Sequence, residues 1–461
     1  MSFTKNLSSY IHTYGSFSIS VKAHAEGFRD SELKTITYVN SPKLTYVNAS
    51  EITFSNVLAG VTSFDLYIDG DKVGTYSHDP NDTTDVAIDI SDFGLDDNMH
   101  EFYIVVTAPD KTNTITTFTS ATIQSAKIFG VSGLYAESPT LTRTDHAVGM
   151  TWVNSSGTIT SDLDNEFPFN AIHDVTLDSG DVMVEIPEMY FRVGYDASNR
   201  LTDIAVSSLP VGVGNWYHTP AFQVGKYLTN SSGYSKTGQT PGTASNFNSN
   251  ITSIKNKGMY YETIYHYTIL EFLFWIYFAT KNSQSVLNVA QLGSLQTTGV
   301  TNSNQSKNCI VSNRFKFLGI EDFLGNQYRM LAGSYNNYFY DVYNNQNAIL
   351  NSTERSTSGK VTLSYDTVNS SNNYNIKALG WDHNHPFICI PMEVTNASTY
   401  TTYFCDGVNS NAWRNGSYAP YLGASYSTDY TAPSVRGLGS WYLNTWAFYS
   451  AFYGCRLVKF L

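Results

Sequence analysis

The chain has 461 residues, enough for about three domains of ~150 residues and for a core that needs no covalent staples. Charged residues make up 14% of the chain, against about 25% in an average soluble protein, while aromatic residues reach 15%. This composition excludes intrinsic disorder, and the net charge of -12 argues against nucleic acid or an anionic membrane as the main partner. The abundance of Asn, Ser, Thr, Gly and Tyr predicts a mainly β protein with a minor α part.

Residues 1–38 are polar and lack a helical stripe, and we interpret them as an attachment arm that orders on a larger partner. Residues 1–27 contain no apolar run of the kind found in signal peptides, so no signal peptide is expected. The longest apolar run, at residues 269–279, is about half of the ~20 residues that a membrane span needs. We therefore expect no membrane insertion.

Residues 39–127 contain short alternating runs typical of strands. The run at 64–68, the turn D-G-D at 69–71 and the run at 72–76 predict a β-hairpin. Further runs at 86–90 and 102–107, with turn residues between them, predict a small immunoglobulin-like β-sandwich that acts as a spacer. Acidic turns at 79–82 and 96–98 lack the spacing of a calcium loop and are interpreted as solvated turns.

Residues 128–461 form one long β-rich segment in which we expect a single helix. Thr268 as the cap and Glu271 three residues later predict that it runs from Thr268 to about residue 282. The helix is apolar nearly all round, so we expect it to be buried between other elements and to form core rather than a ligand site.

Cysteine and histidine residues are the first candidates for a metal site. The four cysteines are too widely spaced for a disulfide framework or a zinc ribbon and are interpreted as buried thiols, namely Cys309, Cys389, Cys405 and Cys455. On a strand, His383 and His385 would point the same way and could share a metal with Asp341. Because no third ligand follows at a sensible spacing, we favour a polar loop before the buried run 387–390. We expect no metal and no cofactor.

Three motif segments follow the helix start in a definite order. They are I-E-D-F-L-G-N at 320–326, R-G-L-G-S-W at 436–441 and Y-G-C-R-L-V at 453–458. As an ordered set with the helix they resemble the C-type lectin fold in its formylglycine-generating-enzyme-like branch, where the motifs are D-x-x-G-N, R-G-G-S-W and G-F-R-L-V. Leu438 and Cys455 replace the Gly and Phe of that pattern.

The preceding residues resemble a module of tail and fibre proteins of phages and prophages of gut bacteria. The resemblance rests on Arg143, D-L-D at 162–164, F-P-F at 167–169 and V-E-I-P-E-M-Y at 184–190. Together the two resemblances cover residues 128–461, with a leading β segment at 128–205 and a lectin core at 206–461. They imply an α+β C-type-lectin-like domain after the immunoglobulin-like spacer.

The resemblance also raises an enzymatic alternative. Formylglycine-generating enzymes hold copper with two thiols soon after the R-G-G-S segment, whereas here no thiol follows residue 440 before Cys455. The chain also lacks a G-x-S-x-G elbow, an H-E-x-x-H helix and a phosphate loop. We therefore expect no catalytic residues. The E-P-N and Q-P-D triplets of calcium-dependent lectins are absent too, so recognition is expected to be calcium-independent.

The last 60 residues interleave aromatic side chains with Asn, Ser, Gly and Ala, the composition of an antibody-like binding surface. The candidate ligand-binding residues are Trp413, Asn415, Tyr418, Tyr421, Tyr426, Tyr442, Asn444, Trp446 and Tyr449. Some relatives diversify this region with a retroelement that rewrites AAC-type codons to Tyr, Ser or Asp but never to Trp. By that implication Trp413, Trp441 and Trp446 are framework positions. The alternative for each single aromatic is that it packs the core.

These observations favour a phage or prophage virion protein, most specifically a tail-tip adhesin made in the host cytoplasm. Its expected partners are a host cell-surface receptor, glycan or protein, and other virion proteins through the N-terminus. The resemblance implies a homo-oligomer, with a trimer favoured. The alternatives are a structural virion protein such as a head fibre, collar or tail component, and a formylglycine-generating-type oxidase.

Overall fold

The computed structural model describes residues 15–22, 31, 34–40, 43–47, 51–55, 57–93, 99–107, 116–122, 126–210, 215–335, 338–350, 359–362, 373–395, 401–409, 418–425, 427, 428, 438, 441–445 and 453–461. The chain divides into two compact units, Met1–Ala126 and Lys127–Leu461. This division lies one residue before the boundary expected from the sequence. Strands outnumber helices in the described residues, which confirms the predicted mainly β class with a minor α part.

The first unit is built from short strands. They are β1 (Gly15–Val21), β2 (Lys34–Asn40), β3 (Lys43–Val47), β4 (Glu51–Ser55), β5 (Ser63–Ile68), β6 (Asp71–Ser77), β7 (Val86–Asp89), β8 (Met99–Thr107) and β9 (Thr116–Thr122). Strands β1 and β2 pair with each other, β3-β4-β7 form a three-stranded sheet, and β6-β5-β8-β9 form a four-stranded sheet. The expected limit of the N-terminal arm after residue 38 falls inside β2, and residues 1–14 of the arm lie outside the described residues.

The hairpin predicted at residues 64–76 is confirmed, since β5 and β6 pair antiparallel around Asp69 and Gly70. Both turn residues have positive φ, 52° and 92°, which matches the twist of the flanking strands. The alternate side chains of β5 are buried in one cluster with residues of β4, β7 and β8. Side chains of the three-stranded and four-stranded sheets therefore share one core.

The acidic turn at residues 79–82 is a solvated turn, as predicted. An oxygen of Asp79 accepts a hydrogen bond from the backbone N–H of Asn81 at 2.9 Å, and Asp82 does the same for Thr84 at 2.8 Å. These carboxylates satisfy local backbone donors, as turn-forming Asp residues commonly do. The second acidic turn, at 96–98, lies outside the described residues.

The second unit contains the remaining strands. In chain order they are β10 (Phe129–Ser132), β11 (Thr142–Asp145), β12 (Trp152–Ser155), β13 (Thr158–Ser161), β14 (His173–Thr176), β15 (Val182–Ile186), β16 (Met189–Tyr195), β17 (Leu201–Ser207), β18 (Trp216–Thr219), β19 (Phe222–Gly225), β20 (Tyr260–Tyr261), β21 (Cys309–Val311), β22 (Arg314–Phe317), β23 (Ile320–Glu321), β24 (Tyr328–Met330), β25 (Ser334–Tyr335), β26 (Tyr338–Tyr340), β27 (Lys360–Thr362), β28 (Asn373–Gly380), β29 (Ile390–Thr395), β30 (Gly407–Asn409), β31 (Tyr418–Leu422), β32 (Trp441–Thr445), β33 (Tyr453–Gly454) and β34 (Leu457–Phe460). The helices are α1 (Ala244–Asn256), α2 (Ile264–Phe278), α3 (Ser283–Leu287) and α4 (Asn347–Leu350).

Strands from distant parts of the second unit share sheets. The sheets run β11-β10-β17-β16-β18, β12-β13-β21-β22-β23, β14-β15-β19-β34-β20, β29-β28-β30-β32-β31-β24-β33 and β25-β26-β27. The C-terminal strand β34 pairs with β19 and β20, and β13 pairs with β21. The expected subdivision between residues 205 and 206 falls inside β17, so the leading β segment is built into the same unit as the rest.

The apolar helix is confirmed as core, but its predicted limits are wrong. Helix α2 begins after Thr263 and ends before Ala279, whose φ of 49° places it in the left-handed region. The cap is Thr263, whose hydroxyl lies 2.9 Å from Nδ1 of His266. Every residue of α2 is buried, including Thr268 and Glu271, the predicted capping pair. A Thr with a Glu three residues later was misleading here because both side chains face the core.

The C-terminal turn of α2 is capped by side chains of the leading β segment. Arg143 donates to the carbonyl oxygens of Ile276 and Tyr277, both at 2.8 Å, and Trp152 Nε1 donates to that of Phe278 at 3.0 Å. The last carbonyl groups of a helix have no partner within it, and a buried one needs a partner elsewhere. Arg143 and Trp152 therefore tie the leading segment to the central helix.

The expectation of a single helix is wrong, because α1 precedes α2. The α1 sequence is rich in Asn, Ser and Thr, which have low helix propensity and compete with the backbone for hydrogen bonds. Its apolar residues Phe247, Ile251 and Ile254 recur at helical spacing and pack in a second core cluster with Met259 and Tyr261. Tertiary packing therefore stabilises a helix that the propensities of its residues disfavour. Among the described residues, no helix is long and apolar enough to cross a bilayer.

Glu271 is the one acidic residue on α2 and lies in the core. Its Oε1 atom has no hydrogen-bond partner among the described residues. Burial raises the pKa of the Glu271 carboxyl well above its ordinary value, and the nearby Asp406 raises it further. The carboxyl therefore holds its proton in the folded chain at pH values where the unfolded chain has lost it.

Replacing Glu271 by Gln tests this protonation. Between the two pKa values the folded state binds one more proton, so the unfolding free energy of the wild type falls as pH rises, by about 1.4 kcal/mol per unit. Glu271→Gln keeps the shape of the side chain but cannot titrate. The unfolding free energy of the variant, relative to that of the wild type, should therefore increase from pH 5 to pH 8. Urea unfolding followed by tryptophan fluorescence measures it, since every Trp lies in the second unit. An identical pH dependence in both proteins would contradict a protonated Glu271.

Candidate functional site

The I-E-D-F-L-G-N segment is held by a buried ion network centred on Arg314. The Arg314 guanidinium donates from Nε to Asp322 Oδ1 at 2.7 Å and from Nη2 to Glu321 Oε1 at 2.9 Å. Glu321 also accepts from the backbone N–H groups of Gly299 and Thr301 at 2.6 and 2.7 Å. All three charged side chains are at most 1% exposed. The carboxylates of this segment are therefore committed to the fold and are not open for a ligand.

Arg456 of the C-terminal motif completes the network from the other side. Its Nη2 donates to the carbonyl oxygens of Glu321 and Asp322, the latter at 2.7 Å, and its Nη1 donates to those of Gly225 and Lys226 at 3.1 and 3.2 Å. Burial lowers the pKa of Arg456 to about 9, so the guanidinium is still charged at neutral pH. Arg456 joins the 320–326 loop to the end of strand β19 and fixes the C-terminal strand between them.

The turn at Gly325 and Asn326 explains the G-N pair of this motif. Both residues have positive φ, 92° and 61°, a conformation that Gly and Asn adopt most readily. The Asn326 side chain donates to Asp322 Oδ2 at 2.9 Å. It also donates to the carbonyl oxygen of Gln296 and accepts from the N–H of the same residue. The motif residues thus act as the framework of the second unit.

Leu438 and Trp441 are the described residues of the R-G-L-G-S-W segment, and Leu438 is anchored on the helices. Its carbonyl oxygen accepts from the Tyr267 hydroxyl at 2.6 Å, and its N–H donates to Ser283 Oγ at 2.9 Å. The side chain is fully buried in the main core cluster. Strand β32 therefore begins three residues after a fixed point on α2 and α3.

The two C-terminal strands that carry predicted ligand residues are neighbours in the seven-stranded sheet. Strands β31 and β32 pair antiparallel, with Tyr421 opposite Tyr442 and Ala419 opposite Asn444. We call these two strands the C-terminal ribbon. Successive residues of a strand alternate between its faces, so Tyr421, Tyr442 and Asn444 occupy one face and Tyr418 the other. The face with Tyr418 also carries Leu422, which is buried in the main core.

The register separates the candidate residues into three groups. Tyr421, Tyr442 and Asn444 share a face of the C-terminal ribbon, and Tyr418 occupies the opposite face. The other predicted ligand residues lie outside the described residues, namely Trp413, Asn415, Tyr426, Trp446 and Tyr449. On the face with Tyr421, the adjacent residue of β24 is Met330, which is buried in the second core cluster. The ribbon therefore adjoins packed core on both faces at its β24 edge, whereas β32, with Tyr442 and Asn444, lies one strand farther from that edge.

The histidine motif at 381–386 forms a loop, as favoured from the sequence. His385 Nδ1 lies 2.5 Å from Asp341 Oδ2, whereas His383 Nδ1 lies 2.7 Å from the Tyr217 hydroxyl. The two rings thus have different partners and do not converge on one point. Hydrogen bonding to Asp341 raises the pKa of His385. Among the described residues, no three His, Cys, Asp or Glu side chains cluster closely enough to hold a metal ion.

A lysine-lined cleft that sequence reasoning missed lies near the ion network. It has a volume of about 330 Å³, and its lining includes Lys226, Lys307, Lys316 and Asp174. Lys226 Nζ lies 2.5 Å from Asp174 Oδ2. The three lysines come from segments up to 90 residues apart in a chain with few charges, so no local motif could reveal the cleft. We call it the lysine cleft.

A second, more open cleft adjoins the Asp341–His385 pair. It is lined by Tyr265, Tyr343 and the run Asn344 to Asn347. Asn344 donates to Asp341 Oδ2 at 2.6 Å and to the Asn384 carbonyl oxygen at 2.7 Å, which fixes this edge of the cleft. Aromatic and amide side chains together can stack on and hydrogen-bond a sugar, but the Asn344 amide is already used by the fold.

Comparisons with known proteins identify no relative of the chain. No protein-family model matches it, and neither the curated proteins nor the solved structures give a significant match. The likeness of the ordered motifs to the C-type lectin fold therefore stays a prediction.

Replacing Arg314 by Met tests the ion network. The variant leaves the carboxylates of Glu321 and Asp322 buried without their cation, and we expect a loss of about 3–5 kcal/mol in the unfolding free energy. The matched control is Arg192→Met, which removes a partly exposed ion pair with Asp145, 2.8 Å long, and should cost at most about 1 kcal/mol. Urea unfolding followed by tryptophan fluorescence compares the two. Equal losses would show that the network does not stabilise the unit.

Proposed function

We propose that the protein is a phage-type receptor-binding virion protein, a tail-tip adhesin that recognises a host cell surface through the C-terminal ribbon. The observation that carries the proposal is the register of β31 and β32, which brings Tyr421, Tyr442 and Asn444 onto one face. Aromatic and amide residues on one strand pair can stack on and hydrogen-bond a receptor at low entropic cost. The chain uses recognition and no chemical turnover.

The architecture of the second unit supports this role. Leu438, three residues before β32, fixes the base of the ribbon through its hydrogen bonds with Tyr267 and Ser283 and its buried side chain. Binding residues on strands supported by a packed scaffold are held more accurately than residues on free loops. A framework of this kind tolerates sequence changes at the ribbon, as a variable binding face needs. The ordered motifs agree with a C-type-lectin-like domain. We interpret residues 128–461 as that domain.

The first unit supports a spacer role. Its three-stranded and four-stranded sheets share one core, the arrangement of a β-sandwich. We interpret it as immunoglobulin-like, with the N-terminal strands as the point of attachment to other virion proteins. Several copies on one particle would turn weak single contacts into firm attachment, by a factor of about 10² to 10⁴. A trimer is the favoured assembly.

The thiols weigh against the oxidase alternative. All four cysteines are free and buried. Burial raises the pKa of Cys405 and of Cys455 to about 12 and raises those of Cys309 and Cys389 as well. Copper binds the thiolate form, which such surroundings disfavour.

Binding to whole cells tests the proposal. Labelled full-length protein should bind at least one strain in a broad panel of gut bacteria, and the combined change Tyr421→Ala, Tyr442→Ala and Asn444→Ala should abolish binding, because it removes both rings and the amide from one face. Flow cytometry measures the bound protein, and unchanged urea unfolding shows that the variant is folded.

The matched control is Tyr67→Ala with Tyr103→Ala in the first unit, where the two rings stack 4.4 Å apart outside the ribbon. It should bind as the wild type does. If no strain binds the wild type, the structural virion role replaces the adhesin. If the ribbon variant and the control bind equally well, the receptor site lies elsewhere.

A further inference from the structure

The lysine cleft gathers positive charge in a protein that is acidic overall. Three of its lining side chains are lysines and one is a carboxylic acid, Asp174, whereas the whole chain has a net charge of -12. The nearest other acids are committed elsewhere. Glu321 pairs with Arg314, and Asp164 accepts from the Tyr277 hydroxyl at 2.7 Å. The lining therefore has a surplus of cations.

The lysines are held in place with their ammonium groups only partly satisfied. An ammonium group has three protons to donate. Lys307 uses two of them on the carbonyl oxygens of Phe169 and Asn170, at 3.0 and 3.1 Å. Lys226 uses one on Asp174. Donors therefore remain for an added oxygen at both positions.

Burial of the lysine ammonium groups favours a bound anion. Lys316 is 4% exposed and donates to the carbonyl oxygens of Thr301 and Asn304 at 3.2 and 2.6 Å. Burial lowers the pKa of Lys316 and of Lys307, and the charge of Lys226 lowers that of Lys316 further. A bound anion would offset this repulsion between cations that have lost most of their water.

The cleft backbone is fixed by hydrogen bonds, and at Lys226 these come from the ion network. The Lys226 carbonyl oxygen accepts from Arg456 and from the N–H of Glu321 at 2.9 Å. The N–H of Gly319 donates to the carbonyl oxygen of Lys307 at 2.8 Å. A site formed before its ligand arrives loses less entropy on binding. The fold thus presents Lys226 and Lys307 without rearrangement.

We infer that the lysine cleft binds one acidic sugar residue, whose carboxylate or phosphate group is held by Lys226 and Lys307. The volume of about 330 Å³ lies at the lower end of small-molecule sites and admits a monosaccharide. Beside the lysines the lining presents the polar side chains of Gln305 and Ser306. This inference rests on the proposed function only for the source of the sugar, a bacterial surface glycan.

Titration of the purified full-length protein with defined sugars tests the inference. The probes are glucuronic acid, glucose 6-phosphate and glucose, followed by calorimetry and ligand-observed NMR. At least one acid should bind, and glucose should not. The first two probes tell a carboxylate ligand from a phosphate ligand. Binding of neither acid, or equal binding of glucose, overturns the inference.

Variants locate the site. Lys226→Met and Lys307→Met should each weaken acid binding about ten- to a hundredfold, the usual effect of losing a charge-assisted hydrogen bond. Lys127→Met is the matched control, because Lys127 also pairs with a carboxylate, Glu166 at 2.8 Å, away from the cleft. It should leave acid binding unchanged. Unchanged binding in both cleft variants would place the site elsewhere and overturn the inference.

A gain in affinity provides a test that misfolding cannot imitate. Asp174→Asn removes the carboxylate that competes for Lys226, so acid binding should tighten about two- to fivefold. Weaker or unchanged binding in Asp174→Asn contradicts the assignment. Because defined sugars and purified protein are used, these results are independent of whether any cell is bound. Loss of cell binding in the ribbon variant with intact acid binding would separate the two sites.

Discussion

The buried pairing of Arg314 with Glu321 and Asp322 is the interaction on which the second unit depends. Charged groups of this kind are costly to bury, and their burial is tolerated only when each finds partners. Here Arg456 adds a second cation that donates to the backbone of the same two acids and to that of Gly225 and Lys226 at the end of β19. One network therefore aligns the middle of the unit with its C-terminus, and the backbone of the lysine cleft is bonded to it at Lys226.

The class of the fold and several local elements could be predicted because their signals are local. The hairpin at Asp69 and Gly70 follows from two turn residues, and the burial of α2 follows from its apolar surface. The start of α2 could not be predicted, since Thr268 and Glu271 imitate a cap whose real counterpart is Thr263 with His266. Helix α1 was missed because its residues disfavour a helix until the rest of the core packs on it.

The same distinction between local signals and signals that depend on the rest of the fold applies to the sites. Composition pointed to the C-terminal aromatics, but only strand register shows that Tyr421 and Tyr442 share a face and that Tyr418 does not. The motif acids Glu321 and Asp322 pair with Arg314, which lies outside the motifs, so the motif by itself does not show that its carboxylates serve the fold. The lysine cleft has no sequence signature, because its cations come from separate segments that the fold brings together. Recognition at two such places would let one unit read both the shape and the charge of a surface.

Site-specific photocrosslinking tests the central claim most directly. A benzoylphenylalanine placed at Tyr442 would lie on the face of the C-terminal ribbon that we assign to the receptor, and one placed at Tyr67 would lie in the first unit. Both proteins would be irradiated on cells that bind the wild type. We expect covalent capture of cell-surface material from Tyr442 and none from Tyr67. Capture from Tyr67 alone, or from neither position while binding persists, would contradict a receptor site on the ribbon.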